Sequence, residues 1–497
     1  MQTRARTKSL AELGLTVARG AETRITGLSV DSRDVKPGHL FAALPGVKMH
    51  GAEFIQYALR MQAGAILTDR DGAALAADAL TDDVPVVIVE DPREVLAFTA
   101  ALWFEAQPEV QVAVTGTNGK TSVASFTRQL WTEMGAEAIS VGTTGVEGGY
   151  TARLGHTTPE PITLHRVLSE AADAGVTHAA MEASSHGLAQ RRVDGVRLRA
   201  AGFTNLSQDH LDYHADFEDY FNAKAGLFAR VLPEDGTAVI NIDDAYGARM
   251  AEIAEDRGQD LLTIGRTSDA MLQILGQRYD ATGQELRFEW AGRIQQIRMG
   301  LIGGFQAENA LVAAGLCIGT GADPQEVFDT MPMLGTVRGR MQFAARRDNQ
   351  AAVFVDYAHT PDALATALKA IRPHVLGRLI VVFGAGGDRD TAKRPQMGKA
   401  AADHADVIFV TDDNPRSEDP ELIRRQVLGG IPSGEATEVG DRAEAILRAV
   451  DALGPGDTLL IAGKGHETGQ EIGDTILPFD DVEQASVAVA ALDGKGL

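Results

Sequence analysis

The chain has 497 residues, with 46 Lys plus Arg against 69 Asp plus Glu, a formal net charge of −23. That length exceeds one ordinary hydrophobic core and sets a prior of two to four domains. The acidic balance argues against nucleic acid as a partner, and the single cysteine, Cys317, excludes a disulfide framework or a cysteine zinc site.

No run of 18 apolar residues is present, so no membrane span is expected. Met1 to Leu10 is basic without the apolar core of a signal peptide, and a cytoplasmic location is the expectation. Cys317 reads as a small buried apolar residue.

Residues 1–91 read as a small α/β unit. Val30-Asp31-Ser32-Arg33 precedes a Lys36-Pro37-Gly38 turn and the apolar Leu40 to Leu44. Gly51 to Met61 has helical periodicity, and Ala63–Thr68 and Val84–Val89 read as strands. Alone, the Asp-Ser-Arg triplet is a polar turn with an internal ion pair.

A helix over Pro92 to Gln107 leads into the most informative stretch, Gln111 to Ser122. Its first residues form a short apolar strand, and Gly116-Thr117-Asn118-Gly119-Lys120-Thr121 then breaks into a helix. Such a turn leaves backbone N–H groups and the positive helix end facing a phosphate. Lys120 would reach the terminal phosphates and the Thr121 hydroxyl would ligate Mg²⁺. The full Walker A pattern lacks its first glycine, because Val114 stands there.

The middle of the chain alternates strands with helices. Ala138–Val141, Thr177–Met181, Ala200–Phe203 and Thr237–Ile242 read as strands, and most end in polar clusters. Ligands gather at that edge of a doubly wound sheet. Glu182, one step past a strand, is placed to reach a Mg²⁺ on Thr121. Asp209-His210-Leu211-Asp212-Tyr213-His214 is either a ligand cluster or a solvated helix cap. Phe217 to Leu232 reads as one amphipathic helix carrying Lys224. Ile274 to Arg298 alternates like a hairpin, and Gly303-Gly304-Phe305 opens a helix with Asn309.

From residue 339 a second α/β unit begins. Ala352–Val355, Leu379–Phe383, Val407–Val410 and Thr458–Ile461 are apolar strands ending in polar or Gly-rich turns. Gly384-Ala385-Gly386-Gly387-Asp388 lacks the spacing of a dinucleotide fingerprint, which excludes NAD.

Taken together, the motifs resemble the Mur ligase family over nearly the whole length. Gly116 to Ser122 is similar to its ATP loop. Met181-Glu182-Ala183-Ser184-Ser185-His186-Gly187-Leu188, Val355 to Pro361 and Asp413-Asn414-Pro415-Arg416 look like its other signatures.

The resemblance implies three α/β domains. Residues 1–91 would be a UDP-binding domain, 92–338 a central P-loop ATPase-like domain with a mostly parallel sheet, and 339–497 a Rossmann-like amino-acid-binding domain. It implies ATP contacts at Gly116, Thr117, Asn118, Gly119, Lys120, Thr121, Ser122, Asn309, Arg340 and Asp356. Val30, Ser32, Val47, Lys48 and Met49 would hold the UDP end, and His156, Thr157, Thr158, Ser184, Gln190 and Arg192 the muramoyl-dipeptide. Thr121, Glu182 and a carbamylated Lys224 would hold Mg²⁺, the carbamate coming from CO₂. Lys120, Glu182, Lys224 and His210 would be catalytic. Gln306 and Gln342 depart from the family pattern, which usually has Asn and Glu there.

The implied reaction is ATP-driven amide formation through an acyl phosphate, with UDP-MurNAc-L-Ala-D-Glu as acyl donor, in peptidoglycan precursor synthesis. The C-terminal domain is expected to close over the site and exclude water. In the family the Asp-Asn-Pro-Arg form goes with meso-diaminopimelate, which differs from L-lysine by one distal carboxylate. Arg416 is the expected grip on that carboxylate, with Arg389, Asp413, Asn414, Pro415, Gly463 and Glu467 around the amino acid. Lysine would leave Arg416 unpaired unless Glu418 or Asp419 takes it. A monomer is expected. Alternatives are L-lysine as acceptor, a folylpolyglutamate synthetase, and a binding protein using ATP as a switch.

Overall fold

The computed structural model describes residues 7–46, 49–207 and 213–494. Two compact units emerge: Met1–Ile264 with Gly315–Asp323, and Gly265–Ala314 with Pro324–Leu497.

The first unit holds an all-parallel sheet and a larger, mostly parallel one. The N-terminal one orders Gly27–Ser29, His39–Ala42, Ala65–Thr68 and Val86–Ile88, all parallel. Its two faces carry separate cores, because side chains alternate along a strand. Leu40, Ala65 and Leu67 pack on one face, and Phe41 and Ile66 on the other.

The larger sheet of this unit runs Asp260–Gly265, Thr237–Asn241, Ala200–Phe203, Val110–Thr115, His178–Glu182, Ala138–Gly142, Gly145–Gly148. Of the pairings among these strands only the last is antiparallel. Val110–Thr115 comes first in sequence yet lies between Ala200–Phe203 and His178–Glu182. The strand order reverses there, and a reversal opens a crevice at the strand ends. Glu182 is the last residue of its strand rather than one step past it. The helix expected over Phe217 to Leu232 is α-helical from Phe217 to Gly226 and then widens into a π turn, Leu227–Val231. Over a single turn the two windings give nearly the same apolar spacing, so periodicity does not separate them.

The second unit holds a six-stranded sheet ordered Gln342–Arg346, Ala352–Asp356, Thr458–Ala462, Leu379–Phe383, Val407–Val410, Ala436–Glu438. All pairings but the first are parallel. Leu379, Val381 and Phe383 enter one core and Ile380 and Val382 the other, so helices cover both faces. The stretch read as a hairpin is a three-stranded antiparallel meander, Leu272–Asp280, Gly283–Trp290 and Arg293–Met299. His374 ties it down: Nε2 accepts from Gly303 N at 3.0 Å, and Nδ1 lies 2.7 Å from Asp280 O. One ring nitrogen accepts and the other donates, so this imidazole is neutral. Burial pushes its pKa below the usual value.

Among the described residues no helix is long and apolar enough to cross a membrane. Cys317 is fully buried, and burial pushes its thiol pKa far up, so it packs as an apolar residue.

Candidate active site

The phosphate loop is built by two backbone conformations that favour glycine. Gly116 has φ 146° and Gly119, the N-cap of helix Lys120–Glu133, has φ 89°. A Cβ at Gly116 would stand 1.9 Å from Thr204 Oγ1, so no side chain fits. The end of the neighbouring strand clamps the loop. Thr117 N donates to Asn205 O at 2.8 Å, Asn118 N to Asn205 Oδ1 at 3.0 Å, and Thr204 Oγ1 to Asn118 O at 2.6 Å. The Thr204-Asn205 turn, read only as a strand end, is therefore part of the loop's scaffold.

Two lysines converge on one carbonyl. Lys120 Nζ donates to Gly116 O at 2.9 Å and to Thr117 O at 2.8 Å. Lys224 Nζ, 1% exposed, donates to the same Gly116 O at 2.8 Å and lies 4.4 Å from the Tyr220 ring centre. Tyr220 in turn places its hydroxyl 3.1 Å from Thr117 Oγ1. Helix Phe217–Gly226 thus delivers Lys224 to the phosphate loop, which its helical pattern alone did not signal.

Glu182 meets Thr121. Thr121 Oγ1 donates to Glu182 Oε2 at 3.0 Å, and Thr143 N to Glu182 Oε1 at 2.7 Å. The carboxylate fills space that a Cβ at Gly142 would occupy, 2.1 Å from Oε1. Two oxygens 3.0 Å apart match adjacent ligands of an octahedral ion with bonds of about 2.1 Å. No group of three His, Cys, Asp or Glu side chains that could hold a metal occurs among the described residues. Mg²⁺ suits such a sparse oxygen set, since it takes one or two carboxylates and completes its shell with substrate phosphates and water. The residues present fit it. His210, with Asp209 and Asp212, lies outside the described residues. His214 is buried, with Nδ1 3.1 Å from Asp219 Oδ2.

Beside Glu182 the expected dipeptide residues other than His156 form a connected set. Thr158 Oγ1 donates to Glu182 O at 2.8 Å and accepts from Ser184 N at 3.0 Å. Arg192 Nη1 donates to Thr158 O at 2.6 Å and Nη2 to Gln190 Oε1 at 2.8 Å. Thr157 Oγ1 lies 3.0 Å from Thr143 Oγ1, and His156 is exposed. Burial, with the nearby Arg93 guanidinium, pushes the Arg192 pKa down. Two half-buried guanidiniums make an anion-attracting patch. In the N-terminal domain Asp31 caps the short turn Ser32–Asp34 and pairs with Arg33. Arg33 holds the Asp31 carboxyl down to about 2. Ser32 is buried, Val30 half-buried and Met49 exposed; Val47 and Lys48 lie outside the described residues.

The second unit carries the remaining expected residues. Asp356 accepts from Met341 N at 2.7 Å and Ala358 N at 2.9 Å. Burial raises its pKa against the opposing pull of Arg340. Arg340 lies over the Tyr357 ring at 5.0 Å. Asn309 is buried and donates to Gln306 Oε1 at 3.1 Å, and Gln342 Oε1 accepts from Gly339 N at 2.8 Å. These bonds explain how the two departing glutamines are accommodated.

At the strand ends of the same unit, Asn414 is a hub. Its Oδ1 accepts from the fully buried Lys464 Nζ at 2.8 Å and from Glu471 N at 3.0 Å. Its Nδ2 donates to Glu467 Oε2 at 2.9 Å, which Lys464 Nζ also reaches at 3.2 Å. Gly463 has φ 115°, and a Cβ there would strike Asp413 Oδ2 at 2.4 Å. Arg389 is exposed, and its one hydrogen bond among the described residues goes from Nη1 to Asp388 O, at 3.4 Å.

Arg416 is paired, but with an acid outside its own turn. Neither Glu418 nor Asp419 takes it: Glu418 binds the fully buried Arg394, and Asp419 caps helix Pro420–Leu428. Nor is Arg416 without an acid. Its Nε donates to Glu471 Oε2 at 2.6 Å and its Nη1 to Gly387 O at 2.8 Å. Lysine would therefore not strand an unpaired arginine. Glu471 and Lys464 are the two residues of this edge whose roles the sequence did not reveal.

Three family matches cover most of the chain. Residues 24–103 match the Mur ligase family catalytic domain, 114–317 the Mur ligase middle domain, and 339–465 the Mur ligase glutamate ligase domain. A UDP-N-acetylmuramoyl-L-alanyl-D-glutamate–2,6-diaminopimelate ligase of Brucella melitensis is 48% identical over 483 residues, 96% of each chain. The enzyme of the same name from Bradyrhizobium diazoefficiens is 49% identical over 477 residues, 95% of this chain and 96% of that one. A solved structure of a ligase of that name superposes with a TM-score of 0.73 at 35% identity, covering 98% of this chain and 99% of the other. With its three α/β domains and its phosphate loop, the chain belongs to the Mur ligase family.

Proposed function

We propose that this chain is an ATP-dependent ligase that joins meso-diaminopimelate to UDP-MurNAc-L-Ala-D-Glu. The observation that carries the chemistry is the meeting of Lys120, Thr121, Glu182 and Lys224 around one phosphate loop. The relatives' shared name supplies the substrates.

The mechanism follows from charge. A carboxylate oxygen of the D-glutamyl residue attacks the γ-phosphorus of ATP, and ADP leaves. The amine of the acceptor then attacks the acyl carbon and loses a proton, and phosphate departs with the oxygen that attacked. Anion attacks anion in the first step, so positive groups must surround the γ-phosphoryl oxygens. Loop N–H groups and Lys120 supply part of that charge. Thr121 and Glu182, with Lys224 as a carbamate, would hold Mg²⁺, which would supply further positive charge to the phosphoryl oxygens.

Carbamylation has a local rationale. Two ammonium groups on one carbonyl repel each other. Once the Lys224 ammonium gives up a proton, its amine can add CO₂ and release a second proton, leaving a carbamate anion that would attract both Lys120 and a cation. Thr158, Ser184, Gln190 and Arg192 orient the dipeptide beside Glu182, and Arg416, Asn414 and Glu467 receive the acceptor. The bonds linking Thr158 directly to Glu182 favour that assignment.

Labelling tests the order of steps. With ¹⁸O in the reacting D-glutamyl carboxylate, one labelled oxygen per turnover should appear in the released phosphate. Unlabelled phosphate would rule out the acyl phosphate.

A further inference from the structure

We infer that Glu471 is the positioning residue that aims Arg416 at the distal carboxylate of the acceptor amino acid, and so helps to set acceptor specificity. This rests on the diaminopimelate reading above.

Glu471 lies on a two-stranded hairpin, Gly469–Ile472 with Thr475–Pro478. Two backbone bonds and one side-chain bond fasten that hairpin to the Asp413–Arg416 turn. Arg416 N donates to Glu471 O at 3.0 Å, Gly473 N to Arg416 O at 2.8 Å, and Gln470 Nε2 to Asp413 O at 2.8 Å. Arg416 has φ 52°, in the left-handed region that non-glycine residues rarely adopt. Such a conformation persists where neighbours over-determine it. Here both backbone groups of Arg416 are held by the hairpin.

The side chain is held as well, and in a definite way. Nε goes to Glu471 and one Nη1 proton to Gly387 O. Nη2 has no hydrogen bond among the described residues. The guanidinium therefore keeps its Nη1/Nη2 edge for a carboxylate, which can take two parallel bonds there. Gly386 permits this placement, since a Cβ on it would stand 3.0 Å from Nη1.

The other acids nearby are engaged elsewhere. Glu418 binds Arg394, Asp388 accepts from Ser417, and Glu467 accepts from Asn414 and Lys464. Among the described residues Glu471 is the one acid on the guanidinium, and without it the long side chain, left with Gly387 O, gains rotameric freedom that binding must remove. Selection for diaminopimelate then comes from a preorganised open edge rather than from an unpaired cation.

The test uses full-length enzyme and steady-state kinetics with meso-diaminopimelate and with L-lysine. Glu471→Ala should raise KM for diaminopimelate about tenfold, the factor for one charge-assisted bond. It should leave kcat and KM for ATP within about twofold, because the hairpin's backbone bonds remain. Glu471→Gln, which keeps an acceptor oxygen, should recover much of the loss. In an Arg416→Ala background, Glu471→Ala should add nothing, since it acts through Arg416. Additive losses in the double variant, or an equal rise in KM for ATP, would assign Glu471 a merely structural role and overturn the inference. Wild-type turnover with diaminopimelate and an unaffected Glu471→Ala would overturn it alone. A wild type that ignores diaminopimelate would overturn the underlying reading together with it.

Discussion

Lys120 and Lys224 share Gly116 O, although 104 residues of chain separate them. In the proposed mechanism Lys120 faces the charge that develops on the transferring phosphoryl group. Lys120→Met should lower kcat by at least a hundredfold, the ~3 kcal/mol typical of one preorganised donor. A fall of less than tenfold in single-turnover measurements would move the chemistry off this loop. A second residue-scale effect concerns stability. His165 is almost fully buried, and its Nε2 has no partner among the described residues. Burial, with Arg197 nearby, pushes its pKa down to about 4 from an ordinary 6.5. The unfolded chain binds a proton below pH 6.5 that the folded chain refuses. Stability from this group is complete above that value and is lost as pH falls from about 6.5 to about 4. The slope is about 1.4 kcal/mol per pH unit for one proton. Urea unfolding of wild type and His165→Gln at pH 7 and pH 5 measures it, and an unchanged pH dependence in the variant would contradict the assignment.

At the scale of elements, the C-terminal sheet depends on a buried ion pair. Arg442, on helix Arg442–Asp451, donates to both oxygens of Asp481, on helix Asp481–Leu492, at 2.7 Å each. Both side chains are 0% exposed, and Arg442 also reaches Ala462 O at the end of the strand Thr458–Ala462. Removing one partner of such a pair costs about 3–5 kcal/mol, because the other charge stays buried. Asp481→Asn should lower the unfolding free energy by that amount; a loss under 1 kcal/mol would show that water reaches Arg442.

The elements legible in the sequence were those with local signals. Central strands such as Leu379–Phe383 are apolar runs ended by glycine or polar turns, and they stand where expected. The phosphate loop and the Asp413–Arg416 turn were legible for the same reason. The hairpin Gly469–Pro478 was not. Its Ile472, Ile476 and Leu477 are exposed, so burial imposes no clean alternation, and Glu471 meets Arg416 across 55 residues of chain. Lys464 was visible in its Gly-rich turn, but its partner Asn414 lies 50 residues away. Contacts of that range leave no trace in spacing. Lys224 is the intermediate case: its helix was legible, and only the family resemblance pointed to its place on the loop.

For the whole molecule, sheet order explains why distant motifs share a site. The strand before the phosphate loop lies at the reversal of its sheet, between the strand ending in Glu182 and the strand leading to Thr204. The net charge of −23 repels a nucleotide sugar and ATP alike, so local arginines, lysines and loop N–H groups must hold them. The most direct measurement is phosphate release by the purified protein with ATP, Mg²⁺ and UDP-MurNAc-L-Ala-D-Glu, offered meso-diaminopimelate in one reaction and L-lysine in another. Phosphate and a tripeptide product are expected with diaminopimelate, and little of either with lysine. Equal turnover with lysine would contradict the acceptor assignment, and phosphate release without any amine-dependent product would contradict the ligase itself.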